Sequence, residues 1–281
     1  MLKKIGLVTI FFLLFSVVAY AEDINDLIFQ ASDLHYQGKL KEAKALFEKV
    51  IRLDPNNEFA LNQLGLLSAK QEDFARAYKY FSKVVAISKD NTFARIWLGV
   101  LLLKDNKIKE ATSQFEEVLR LDPYNANAYY FLGVVYAVEH NLKQSILYLR
   151  KAQEVGSDDP ETHYRLALAF LGLDMVYNAE LELKKALDLN PKYVKALNEL
   201  GWVYYNRGEV DRAIKTWDKS LNINAKNNEA RYNLAKVYNE LALKFYQEKN
   251  FKKAGFYWQK TLTYEPRNKS ALYYLKRIKR K

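Results

Sequence analysis

The chain has no cysteine. Disulfides and thiolate metal sites are therefore excluded, and so is the lipid-modified anchor that needs a cysteine after a bacterial leader. Histidine is scarce as well. His35, His140 and His163 fall at unrelated places in the sequence, so no metal or catalytic constellation is visible. No stretch reads as a strand, and no glycine-rich phosphate loop follows one. "VGSDDP" at Val155–Pro160 contains a serine but lacks the small-residue elbow of hydrolases. The acid pairs Glu116-Glu117 and Asp158-Asp159 read as a solvated helix face and a helix-start cap. Asn268-Lys269-Ser270 matches a glycosylation sequon, a three-residue pattern that carries little weight alone. These absences argue against an enzyme and against a bound cofactor or metal.

Glycine is also sparse, with ten in 281 residues, but four of them keep a register. Gly65, Gly99, Gly133 and Gly201 are separated by 34, 34 and twice 34 residues. A fixed period in this range marks a repeat architecture. Six 34-residue units run without a gap from Ile24 to Asn227. Position 8 of the frame is small (Ala31, Gly65, Gly99, Gly133, Ala167, Gly201). Position 20 is also small (Ala43, Ala77, Ala111, Ser145, Ala179, Ala213). Position 24 is large: Phe47, Phe81, Phe115, Leu149, Leu183 and Trp217. Small residues let two helix backbones approach, and the large one fills the space beside them. Position 15 is Gly38, Asn106, Asp174 and Gly208 in four units, residue types that suit a turn. Pro55, Pro123 and Pro191 at position 32 stop the second helix.

In each unit the apolar residues follow an i, i+3, i+4 spacing on two successive helices. This pattern, with Leu-Gly, Tyr, Ala, a large apolar residue and Pro at set places, resembles the tetratricopeptide repeat family. The resemblance covers nearly the whole chain after residue 21, with mild departures at Ser145, Leu149 and Ala167. It implies an all-α, right-handed α-solenoid of about seven helix-turn-helix repeats, at 24–57, 58–91, 92–125, 126–159, 160–193, 194–227 and 228–268. A lone repeat cannot bury both its faces, so the units are expected to stack as one elongated domain over 22–268. In the seventh unit Ala254 arrives seven residues late, before Trp258 and Pro266. Its first helix is expected to be two turns longer, with its packing face nearly preserved. Residues 269–281 read as a basic capping helix, with Leu272, Leu275 and Ile278 covering the last repeat.

The two ends differ from the array. Lys3 and Lys4 precede an uncharged run from Ile5 to Val18, and "AYA" follows at Ala19–Ala21. This order reads as a secretory signal over residues 1–21, cleaved after Ala21. It implies an exported, periplasmic protein; the alternative is an uncleaved N-terminal membrane anchor. The net charge is +11, but two of those charges lie in the leader and six in the last thirteen residues, which hold no acid. Two readings of this tail stay open: contact with a membrane or other anionic surface, and a solvated end that keeps the solenoid soluble. Nucleic acid is not an expected partner of an exported chain.

The resemblance also implies a concave groove lined by the first helices of successive repeats. Frame positions 5, 9 and 12 place Ile96, Val100, Tyr130, Val134, Tyr164, Leu168, Trp202, Tyr205 and Tyr232 along it. Arg165, Asn198 and Lys236 are polar points near it. The Lys, Asn and Arg set of the family's carboxylate clamp is not present, so a C-terminal carboxylate is not the expected ligand. The expected function is a non-enzymatic scaffold of the bacterial envelope that grips a helix or extended segment of a partner protein, with Asn198 bonding its backbone. The alternatives are a self-assembling homo-oligomer and a non-catalytic subunit of an envelope enzyme or of a secretion or pilus assembly complex.

Overall fold

The computed structural model describes residues 23–156 and 158–278. The expected signal segment, 1–21, and the last three residues of the basic tail lie outside the described residues. Among the described residues there are fifteen helices and no strand. They pair as α1 (Ile24–Tyr36) with α2 (Leu40–Leu53), α3 (Glu58–Lys70) with α4 (Phe74–Ile87), and α5 (Thr92–Lys104) with α6 (Ile108–Leu121). The series continues with α7 (Ala126–Val138) and α8 (Leu142–Glu154), α9 (Pro160–Gly172) and α10 (Val176–Leu189), then α11 (Val194–Asn206) and α12 (Val210–Ile223). The last pair is α13 (Asn228–Gln247) and α14 (Phe251–Tyr264), followed by the single helix α15 (Lys269–Ile278). The first helices start at 24, 58, 92, 126, 160, 194 and 228.

The helices group into two compact units, one ending at Tyr124 and the other beginning at Asn125. One continuous domain is what the sequence leads one to expect. In an array where each repeat touches only its neighbours, every linker is a place where cohesion is local, so a division costs few contacts.

Local chemistry fixes where most of the first helices begin. Asn57, Asn91, Asn125 and Asn227 precede first helices, and each side chain accepts a backbone N–H of the first turn. Asp159 does the same for α9, with Pro160 as its first residue. Inside each pair the chain reverses through one left-handed residue. These are Gly38, Glu72, Asn106, His140, Asp174, Gly208 and Lys249, with φ between 57° and 78°. The turn position thus has the same backbone in every repeat, although Glu72, His140 and Lys249 give no turn signal in sequence.

The core of each repeat is the small-against-large contact. A Cβ added to Gly65 would meet the Phe81 ring at 2.6 Å, one on Gly99 the Phe115 ring at 2.5 Å, and one on Gly133 the Leu149 side chain at 2.6 Å. Ala43, Ala77, Ala111, Ala179 and Ala213 are fully buried beside them. In the last pair α13 runs to 20 residues where the other first helices have 13. Ala235 and Ala242, seven apart, are both fully buried. The insertion therefore keeps the packing face, and Ala242 joins Trp258, Ala254 and Ala271 in the terminal core. α15 covers this core with Tyr274, Leu275 and Ile278. Leu272, expected on the covering face, is 49% exposed. The face of α15 runs through 271, 274, 275 and 278, one helical stripe that leaves 272 outside it.

Candidate protein-binding faces

In the first unit the ends of α3 and α5 enclose an open apolar cavity of about 400 Å³. Leu66, Phe74, Trp97, Val100 and Leu101 form its walls. His35, Lys70 and Lys104 also line it, and no acid does. Trp97 stacks on Phe81, with ring centroids 5.8 Å apart, so its position is set by the core residue beneath it. Lys104 lies 4.2 Å over the Phe74 ring, which holds a cation at the cavity wall. Val100, expected in the groove, lines this cavity. Trp97 and Phe74 are not among the expected groove residues, though Trp97, Val100, Leu101 and Lys104 follow the i, i+3, i+4, i+7 rule for one helix face. Ile96 is half-buried on the same helix and does not line the cavity.

In the second unit Tyr130, Val134, Tyr164, Arg165, Leu168, Trp202, Tyr205 and Lys236 are all half-buried, while Tyr232 is 63% exposed. Six of them form two connected groups. Arg165 donates to Glu161 at 2.8 Å and lies beside Tyr130. The Tyr193 hydroxyl donates to the other oxygen of Glu161, and the Tyr164 ring meets Tyr193 edge-on at 5.4 Å. Burial, then the nearby charge of Glu199, pushes the Tyr164 hydroxyl up to about 12. The second group is Trp202, Tyr205 and Lys236. The Trp202 and Tyr205 rings are 5.4 Å apart, and the Lys236 ammonium lies 4.8 Å and 5.0 Å from their centroids. Tyr205 donates to Glu240 at 2.6 Å.

Asn198 does not take the place the sequence suggests. Its side chain is buried, 3% exposed. Its Oδ1 accepts from the Ser220 hydroxyl at 2.8 Å and from Asn227 at 2.9 Å, and its Nδ2 donates to Glu229 at 2.6 Å. Every polar atom of the amide is engaged within the fold, so it has nothing to offer a partner's backbone. The reason lies in α12, whose small Ser220 faces position 198 and donates its hydroxyl to the amide.

The sequence also gave no sign of a buried histidine. His163 is 4% exposed on α9. Its Nδ1 lies 2.5 Å from Glu182 on α10, and its Nε2 lies 2.9 Å from Asp158 in the preceding linker. The hydrogen bond with Glu182 raises the imidazole above its ordinary value of 6.5, and burial opposes this only in part. Burial alone would raise Glu182, but the bonds from His163 and Lys185 outweigh it and hold the carboxyl below 4.5. Both ring nitrogens are occupied by carboxylates, so neither is poised to take a substrate proton. Nothing local joins residues 163 and 182. Among the described residues no group of three or more His, Asp or Glu could hold a metal ion.

A pair of helices repeating every 34 residues, with a small residue of the first set against a large one of the second, matches profiles of the tetratricopeptide repeat over 30–92 and 98–160. Further profiles of the repeat match 160–193, 182–215 and 201–241. The chain belongs to the tetratricopeptide repeat family. Proteins of this family are typically non-catalytic scaffolds that bind protein partners. No curated protein matches this TPR chain. Among solved structures, PilW, a widely conserved type IV pilus biogenesis factor, aligns with a TM-score of 0.68 at 18% identity, covering 76% of this chain and all of its own. The C-terminal part of a TPR repeat-containing protein from Cytophaga hutchinsonii aligns at 0.67 and 18%, over 87% of this chain and 98% of that one. YrrB, a TPR protein with an unusual peptide-binding site, aligns at 0.54 and 23%, over 70% and 97%. At these identities the likeness is one of fold.

Proposed function

We propose that this TPR protein is an exported scaffold of the bacterial envelope that holds a partner protein by an extended or helical segment. The observation that carries the reading is the apolar cavity of the first unit, open to solvent and rimmed by His35, Lys70 and Lys104 without an acid. An apolar side chain of the partner fills it, and an acidic neighbour on the partner meets the rim. In the second unit the Trp202, Tyr205 and Lys236 group, with exposed Tyr232, offers a second hold for an apolar segment. Tyr130, Tyr164 and Arg165 belong to the other group, and Leu168 is half-buried on the same helix as Tyr164. The peptide-binding site of YrrB and the pilus role of PilW are consistent with this use of the fold, and the leader at 1–21 with export.

Panning a random peptide library against the full chain tests the proposal. Peptides with a bulky apolar residue beside Asp or Glu should be enriched, and Trp97→Ala should weaken them by more than about 1 kcal/mol. Enriched peptides that bind Trp97→Ala and Trp202→Ala at full strength would rule both holds out.

A further inference from the structure

The helices α14 and α15 of the second unit carry six cations and no acid: Lys252, Lys253, Lys260, Lys269, Lys276 and Arg277. All six are exposed. The inner faces of both helices are committed to the core around Trp258. What remains outside is not charge alone. Phe256 is 53% exposed, Tyr273 57% and Leu272 49%. Each ring has a cation beside it: the Lys260 ammonium is 5.8 Å from the Phe256 centroid, and Arg277 donates to the Tyr273 hydroxyl at 3.1 Å.

We propose that this end of the second unit binds an anionic bilayer surface, with the cations on lipid phosphates and the three apolar side chains at the headgroup level. Clustered Lys and Arg on a helix are drawn to the negative potential of such a surface. Aromatic side chains partition to the same depth, because one edge is apolar and the other tolerates water. A nucleic acid fits less well. Leu272 gives nothing to base stacking, and Lys260 lies over the ring of Phe256 that a base would need. Among the described residues no helix is long and apolar enough to cross a membrane. This surface does not involve the groove residues and stands without the peptide reading.

Sedimentation of the full chain with vesicles tests it. One set is phosphatidylcholine alone, the other equal parts phosphatidylcholine and phosphatidylglycerol. Any binding through the apolar run Ile5–Val18 is common to both sets, so the readout is the excess on anionic vesicles. That excess should fall at least about tenfold in Lys260→Glu/Lys276→Glu, given the attraction expected per cation near such a surface. It should weaken steeply with added salt. Phe256→Ser/Tyr273→Ser, with the cations intact, should lower it several-fold while circular dichroism shows unchanged helicity. Lys252→Glu/Lys253→Glu, at the exposed start of α14, gives a second charge variant if the first does not fold. Equal binding to both vesicle sets, an excess that survives the charge and ring variants, or preference for single-stranded RNA over anionic vesicles would overturn the proposal.

Discussion

Gly201 on α11 lies directly against the indole of Trp217 on α12, so that a Cβ at 201 would overlap the ring. Trp217 cannot swing aside freely, because its Nε1 donates to the Asn198 carbonyl at 3.1 Å and the side chain is 1% exposed. The glycine costs roughly 1 kcal/mol of helix propensity relative to alanine, and the close packing of the two helices offsets it. Gly201→Leu should destabilise the protein by about 1–3 kcal/mol through overpacking. In the preceding repeat the same two places hold Ala167 and Leu183, both fully buried. Gly201→Ala combined with Trp217→Leu should therefore be less damaging than the sum of the two single changes. Urea midpoints of the four proteins check this, and strict additivity would mean that the two sites do not touch.

The shared left-handed turn makes a prediction of opposite sign. Glu72, His140 and Lys249 have φ near 60°, where a Cβ is unfavourable by about 1–2 kcal/mol. Glycine takes this backbone readily, as Gly38 and Gly208 do with φ of 78° and 77°. His140→Gly should raise stability by about 0.5–1 kcal/mol, net of the entropy that glycine returns to the unfolded chain. His140 is exposed, so no contact is lost. An unchanged or lower thermal midpoint would show that the turn is not strained.

The helical pairs were legible because the register is carried by residues whose roles are steric: Gly65 against Phe81 and Gly99 against Phe115. Such roles repeat, so they leave a period. The turn was legible where it held Gly38 or Asp174 and hidden where Glu72 accepted the strain. The faces were legible only in part. Helical phase alone put Asn198 beside Trp202 and Tyr205, and phase does not show which neighbour on α12 captures a side chain. The pairing of His163 with Glu182 depends on how two helices meet, and a linear pattern holds no such information.

That pair gives a pH dependence. His163 titrates above its ordinary value, so its contribution to stability is fully present below pH 6.5 and is lost as pH rises through the elevated folded value. Glu182 titrates below its ordinary value, so its contribution is present above pH 4.5 and is lost as pH falls through the depressed one. The stability difference between the native protein and His163→Gln should thus be widest between about pH 4.5 and 6.5 and should shrink on the alkaline side. Denaturant titrations at a series of pH values measure it. A difference that stays constant up to pH 9 would show that the imidazole is not charged in the folded protein.

Asn198 separates folding from binding. Removing its amide leaves the Ser220 hydroxyl without its acceptor, Asn227 short of one, and the Glu229 carboxylate without its 2.6 Å donor. Ser220 is fully buried and Asn227 is 8% exposed, so water cannot easily replace the lost bonds. Each buried group left unpaired costs about 1–3 kcal/mol. Asn198→Ala should therefore destabilise the protein by at least about 2 kcal/mol, while leaving the affinity of any peptide captured by the second unit unchanged when measured well below the melting range. Tyr232→Ala should do the reverse. Its ring is 63% exposed, so stability should hold within about 0.5 kcal/mol while peptide binding weakens. Finding that Asn198→Ala abolishes binding in a fully folded protein would place the amide in the interface after all.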